Sequence, residues 1–506
     1  MGTFALNIQR VLLFLSMVVH RILALLTSDN HLHRARFAST FELRHLFSPA
    51  PPPDGLLLGT THCHFVSVRP AKTRREVGNL LIVGPTRCGK GLLATSQLLS
   101  WKHSVVVNDI KGELFTATAG YRSTLGEVYV IDPTGIGHCF DPLHGKQTED
   151  EFFSSAAHLL FQADEGDGRI FTQRATDMLT QLFLAARVEG IAPLPYARSL
   201  IRSGLTDTAA RLHHVDPQFA TQFLDVSFAD ANFSDRFLLS TWGTLKAKMK
   251  PLLTETVIRC LTHSDFNAAS LLCSEKPVSI YLRWPERDLL ALAPLVRLLW
   301  GSLIDELITV YDTRQGTNCQ PVLLLIDEAG RTAIPTLADH ATTVVGRGIS
   351  LWIAVQSLSQ LEAVYGRARS QVLRDNMESQ LYYRPTDLAT ARYLEERLGT
   401  YSAYAHSTTS REGAETSEGL AERPIPLLTA QDILQLRDDE VIGFHRRLPP
   451  FRMRRMDWRT HALLAKRARL SAPTLSALPE VTEIPMSRTQ SQQFPDGYID
   501  PDTLLN

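Results

Sequence analysis

Eight consecutive residues, Gly84, Pro85, Thr86, Arg87, Cys88, Gly89, Lys90 and Gly91, have the types and spacing to hold phosphate. They fit the pattern G-x-x-x-x-G-K. Glycines allow a tight turn in which successive amide N–H groups converge on phosphate oxygens. Lys90 adds a point charge for the outer phosphates. A hydroxyl residue normally follows this lysine and binds Mg2+. Here Gly91 stands in its place, so a metal would exchange one protein ligand for water.

A second cluster lies more than two hundred residues later. Pro321–Gly330 reads PVLLLIDEAG, an apolar run ending in Asp327 and Glu328. Asp327 is placed to hold Mg2+ through water, and Glu328 to orient and deprotonate an attacking water. Alone, the two acids also read as a capping pair where a strand meets a loop. Further on, Gln356 ends the run Ile349–Ser357. It could face a γ-phosphate or cap the helix that follows. Together these residues imply ATP with Mg2+.

Such groups must be positioned by strands and helices. The phosphate loop follows the apolar run Asn79–Val83 and opens a helical run, Leu92–Leu99. Ser104–Val107, Glu127–Pro133, Pro277–Pro285, Val322–Ile326, Ile349–Ser357 and Glu378–Arg384 read as further strands. Alternation of strand and helix implies right-handed crossovers and a mostly parallel sheet, with ligands at the strands' carboxyl ends. Between about Glu149 and Ala269 the periodicity is helical throughout. The expected organisation has five parts: an apolar segment and linker over 1–55, a nucleotide-binding domain over 56–145 and 271–458, an all-α insertion over 146–270, and a largely disordered tail over 459–506. The polar stretch Ala403–Pro424 is expected to be a disordered loop.

With 44% hydrophobic and 21% charged residues, the chain can bury a large core. Its formal net charge of -1 supplies no global field for nucleic acid, so polyanion contact must be local. Two basic stretches offer it, Arg69–Arg75 and Phe444–Trp458, the second mixing arginines with aromatics able to stack on bases. Solvated arginines on a strand pair are the alternative. The six cysteines have no paired spacing, which argues for reduced thiols rather than a disulfide framework or zinc site. His62, Cys63 and His64 read as strand residues. The apolar run Val11–Val19 is interrupted by His20 and Arg21 before Ile22–Leu26, and is short for a membrane span. A surface helix, a poor single anchor and a soluble packing helix all fit it.

The ordered set PTRCGKG, VVNDIKGE with AGYR, VYVIDP with FDPL, LLLIDEAG, GRGISLWIAVQSLSQLEAVYG, the Asp375–Asn376 region and RPIPLLTAQDILQL resembles the type IV secretion coupling proteins, the conjugative TraG-type ATPases. The resemblance spans roughly residues 56–455. In that family a glycine commonly follows the lysine. The resemblance implies an α/β fold, a RecA-like P-loop NTPase with a parallel-rich central sheet and an inserted all-α domain. It also implies a hexameric ring at the cytoplasmic face of the bacterial inner membrane. Its implied partners are a relaxase–DNA complex and components of the type IV secretion channel. Asp327, Glu328 and Gln356 match the family's acids and strand-end glutamine, and Arg347 falls where an arginine acting on a neighbouring subunit is expected. Asp109, Lys111 and Glu113 match a segment of unassigned role. Two features depart from the family: only about 80 residues precede the phosphate loop, and Ala-Gly follows the acids where a bulkier pair is common. Another hexameric DNA translocase and a nucleotide-bound docking platform with little turnover are the competing readings.

Overall fold

The computed structural model describes residues 33–61, 64–70, 76–160, 168–331, 334, 336–409 and 417–480. The apolar segment 11–26, His62, Cys63 and the bulk of the first basic stretch lie outside the described residues, as does the tail beyond 480.

A sheet of thirteen strands organises the chain. In chain order the first seven are β1 (Phe47–Ser48), β2 (Leu56–Thr60), β3 (Phe65–Val68), β4 (Leu80–Val83), β5 (Ser104–Asp109), β6 (Val128–Asp132) and β7 (Ile136–Gly137). After a long helical stretch come β8 (Ser279–Arg283), β9 (Val322–Ile326), β10 (Ile349–Val355) and β11 (Ser379–Tyr383). A separate hairpin, β12 (Thr400–Thr409) with β13 (Ser417–Pro426), precedes the last strands, β14 (Glu440–His445) and β15 (Phe451–Arg454).

Seven strands are parallel, in the order β11-β4-β10-β9-β5-β8-β6. All five residues of β9 and all seven of β10 are buried. Continuous apolar strands of this kind require cover on both faces. Side-chain alternation supplies two cores accordingly. Leu81, Val83, Leu324, Ile326, Leu351 and Ile353 join one cluster; Leu80, Ile82, Leu323, Leu325, Trp352 and Ala354 join the other. Antiparallel β14, β15, β2, β3 and β1 extend one side of the sheet, and β7 closes the other.

Between β7 and β8 the described residues contain helices and no strand. The longest, Gly168–Val188, buries Ala175, Met178, Leu179, Leu182, Phe183 and Ala186. That spacing is one face of an α-helix. Trp242 and Leu245 of helix Arg236–Met249 join the same core.

One expectation of disorder is corrected. Residues 403–409 and 417–424 of the Ala403–Pro424 stretch pair in the β12–β13 hairpin, whose register runs from Thr400↔Pro426 to Thr409↔Ser417. Backbone pairing, which asks nothing of side-chain hydrophobicity, holds it. In the tail, the described residues include a helix, Ala462–Ala468, and Ser476 and Leu478 bond at the sheet's far edge. The Gly137 amide donates to the Ser476 carbonyl at 2.9 Å, the Leu478 amide donates to the Gly135 carbonyl at 2.8 Å, and Leu478 is buried. No helix among the described residues is long and apolar enough to cross a membrane.

Candidate functional site

The phosphate loop leaves β4 at Val83 and enters the helix Lys90–Ser100. Gly89 caps that helix with φ +116°, a conformation that favours glycine. Gly84 is required for a different reason. A Cβ there would come 2.7 Å from Cys88 Sγ and 2.8 Å from Tyr383 Cβ. Lys90 is buried, and its ammonium donates to the Gly84 and Pro85 carbonyls at 2.6 and 2.9 Å. The lysine is thus folded back over the mouth of its own loop. Thr86 and Arg87 are exposed, and Arg87 adopts φ +66°. Burial pushes the Cys88 thiol up, with the Lys90 charge opposing, so it is not an activated thiolate. At Gly91 a Cβ would meet nothing within 4 Å. Crowding therefore does not explain the missing hydroxyl.

Register brings the distant acids to this loop. β10 lies between β4 and β9, with Val355 opposite Val83 and Ile353 opposite Ile326. The carboxyl ends of three strands thereby align the loop, Gln356 and the Asp327–Glu328 pair. Gln356 Nε2 donates to Glu328 Oε2 at 2.9 Å. The helix after β10 is capped by Ser357, whose hydroxyl accepts from the Gln360 amide, so Gln356 is not the cap. Glu328 holds φ +57°, an uncommon backbone for a glutamate. The Ala-Gly that follows the acids has a local cause. Ala329 is buried, and a Cβ on Gly330 would come 2.2 Å from Gln360 Cδ. Gln360 Oε1 in turn accepts from the Gln356 amide at 3.0 Å. A bulkier residue at 330 would evict the side chain that steadies Gln356.

Asp327 is half-buried, and its carboxyl is pushed up to about 7. Burial is the largest cause and the Glu328 charge adds to it, while Lys90 opposes. Two carboxylates beside one lysine form a cluster whose charge a cation would relieve. Asp327 and Glu328 therefore fit Mg2+, with Gly91 leaving room for water.

Sequence reasoning missed Asn108, the last residue but one of β5, beside β9. Its Nδ2 donates to the Asp327 carbonyl at 2.9 Å, and its Oδ1 accepts from Trp284 Nε1 at 2.9 Å. The neighbouring Asp109 has a structural role: its carboxylate accepts from the Phe115 amide at 2.7 Å, capping the helix Glu113–Leu125. The only signal in the sequence was an Asn in the NDIKGE segment, and its partner is 219 residues away.

Arg347 is not at this site. It ends a short 3-10 turn just before β10, at the amino end of that strand, whereas Gln356 follows its carboxyl end. Seven residues of strand separate the two by about 23 Å. Arg347 makes a bidentate pair with Asp312 at 2.8 and 2.7 Å and donates to the Thr343 carbonyl.

The second basic stretch forms β14, β15 and the turn after them. Phe444 and Phe451 face the core, so the expectation that its aromatics stack on bases fails for these two. Strand alternation turns Arg452 and Arg454 outward, against Glu440 and Asp439, and Arg446 pairs with Glu378. Cys88, Cys139, Cys260, Cys273 and Cys319 are free thiols.

A glycine-rich loop, an interposed strand and a paired acidic strand on a parallel sheet define a RecA-like P-loop nucleoside triphosphatase. The family described as type IV secretory system conjugative DNA transfer matches residues 60–481. The chain belongs to this family of coupling proteins. It is 25% identical to Protein VirD4 of Rhizobium radiobacter over 96% of its length and 72% of that protein's. It is 28% identical to the conjugal transfer protein TraG of Escherichia coli, over 71% of this chain and 62% of that protein. Among solved structures, the plasmid coupling protein TrwB in complex with ADP and Mg2+ superposes with a TM-score of 0.62 at 17% identity, covering 88% of this chain and 96% of that one. The unbound form of the same coupling protein gives 0.63 at 18% identity, covering 84% and 93%. At this identity the likeness establishes the fold.

Proposed function

We propose that the chain is an ATP-driven coupling protein that recruits a relaxase–DNA complex and delivers it to a type IV secretion channel. The observation that carries the chemical part is the Gln356–Glu328 hydrogen bond at the carboxyl end of the strand lying between the phosphate loop and the acids. In this reading Lys90 and the amides of residues 84–91 hold the triphosphate. Asp327 holds Mg2+ through water. Bound Mg2+ would neutralise charge on the β- and γ-phosphates. Glu328 accepts a proton from the attacking water, and Gln356 fixes the carboxylate that does so. Loss of the γ-phosphate then reaches the helix after β10 through Gln356 and Gln360. ADP and Mg2+ in a TrwB complex support the same ligands here.

Arg347 lies too far along β10 to serve the site of its own chain. It becomes useful only if a neighbouring copy presents its amino-end edge to this loop, which fits a hexameric ring. In that arrangement the Asp312 pair must open for Arg347 to reach phosphate. The helices between β7 and β8 form an inserted domain that takes part in substrate recognition, and the nucleotide-binding residues lie before and after it. Membership of the family supports an assembly at the inner membrane's cytoplasmic face, and DNA contact through outward arginines.

Gly91 favours a second reading, a nucleotide-bound docking platform with little turnover. Steady-state ATP hydrolysis with and without DNA separates the two, using the wild-type chain, Lys90→Ala and Glu328→Gln. DNA-stimulated turnover abolished in both variants supports the motor. Nucleotide binding without turnover in the wild type supports the platform.

A further inference from the structure

Arg455 follows β15 by one residue and reaches the phosphate loop from the far end of the sequence. Its Nη1 lies 3.5 Å from the Cys88 carbonyl, at the outer limit of a hydrogen bond. A Cβ built on Gly89 would come 3.2 Å from Arg455 Cδ and 3.7 Å from Tyr383 Cε1. The arginine stem and the tyrosine ring therefore cover the face of Gly89 that lacks a side chain. The stem is fixed at its base, where the Arg455 amide donates to the Asp439 carbonyl at 2.8 Å. Arg446, Arg452, Arg454 and Arg459 each pair with a carboxylate. Among the described residues the Arg455 guanidinium has no such pair. Tyr383 is buried beside the same loop, and its hydroxyl has no hydrogen-bond partner among the described residues.

The Cys88 carbonyl and the Gly89 N–H belong to one planar trans peptide and point in opposite directions. Holding the carbonyl toward the guanidinium turns the Gly89 N–H the other way, into the loop. We propose that Arg455 is a positioning residue for the nucleotide. It fixes the Cys88–Gly89 peptide so that this amide stays aimed at phosphate, and its charge polarises that amide further. The proposal deepens the nucleotide-binding reading and rests on it. It also makes the β14–β15 strand pair part of the nucleotide site of its own chain, a role distinct from that of an arginine supplied by a neighbour.

The test uses the full chain with Arg455→Ala, Arg455→Gln and Arg455→Lys, and Lys90→Ala as the reference for the site itself. Calorimetric titration with Mg·ADP and with a non-hydrolysable Mg·ATP analogue reads affinity, and thermal melting reads the fold. Expected is a loss of about tenfold for Arg455→Ala and Arg455→Gln, the size of one charge-assisted hydrogen bond. The loss should be equal for the two nucleotides, because the affected amide serves both. Arg455→Lys should recover affinity to within about threefold, since an ammonium can also hold the carbonyl. Melting should be unchanged in Arg455→Gln, which keeps most of the stem. Unchanged affinity in Arg455→Gln overturns the proposal, as does a loss confined to the triphosphate, which would mark direct γ-phosphate contact. A loss that Arg455→Lys fails to recover overturns it too. If Lys90→Ala also binds normally, the nucleotide reading itself is at fault.

Discussion

Replacing Asn108 tests whether the acidic strand is held by its tie to β5. Asn108 is fully buried, and its amide joins three elements. It donates to the Asp327 carbonyl and accepts from the indoles of Trp284 and Trp300 at 2.9 and 3.4 Å. Asn108→Leu keeps the branching and heavy-atom count of the side chain and removes its polar contacts. The Trp284 N–H lies in the buried interior and would lose its acceptor, at a cost of ~1–3 kcal/mol. The Asp327 carbonyl is half-buried, and water can replace part of its lost bond, so it adds ~0.5–1 kcal/mol. The expected destabilisation is ~1.5–4 kcal/mol. Urea unfolding followed by tryptophan fluorescence measures it, with two of the reporting indoles at the lesion. Mg·ADP affinity measured under native conditions should also fall, because the Asp327–Glu328 segment loses its anchor on β5. A shift below ~0.5 kcal/mol, the range of an ordinary surface substitution, would refute the reasoning.

Three further outcomes are expected. Gly330→Ala should displace Gln360, cut turnover and leave nucleotide affinity nearly unchanged, and Gly330→Ala with Gln360→Ala should show less than the summed loss in a kinetic double-mutant cycle. Gly91→Ser meets no steric obstacle, so it should fold with stability equal to or ~0.5 kcal/mol above wild type, and its turnover should need less Mg2+ for half-saturation. Burial pushes the Asp141 carboxyl up to about 6, with the Leu143 amide opposing. The folded chain therefore binds more protons than the unfolded chain between about pH 4 and pH 6, and this group's contribution is lost as pH rises through about 6. Asp141→Asn should match wild type near pH 4 and exceed it by ~3 kcal/mol at pH 7.5 in denaturant titrations.

What could be read from the sequence was whatever has a local pattern. The phosphate loop, the helical run that follows it and the apolar strand before Asp327 all announce themselves within a dozen residues. The helical stretch between β7 and β8 was legible because its periodicity repeats over many turns. Asn108 and Arg455 were not legible as site residues, since their meaning lies in partners 219 and 367 residues away. Arg455 was visible only as one of several arginines in a basic stretch, and strand register alone separates it from Arg452 and Arg454. The β12–β13 ladder escaped notice because its residues carry little apolar signal, and backbone pairing leaves none in composition. The Ala-Gly after the acids looked like a departure and is accounted for by Gln360, a contact that no spacing rule encodes.

In the proposed site one nucleotide and its metal occupy the space between Lys90 and the Asp327–Glu328 pair. Titration of the chain with Mg·ADP, beside Lys90→Ala and Asp327→Asn, tests it most directly. One equivalent should bind the wild type, with affinity lost in Lys90→Ala and with the Mg2+ dependence lost in Asp327→Asn. Absence of binding to the wild-type chain, or equal binding in all three, would contradict the account.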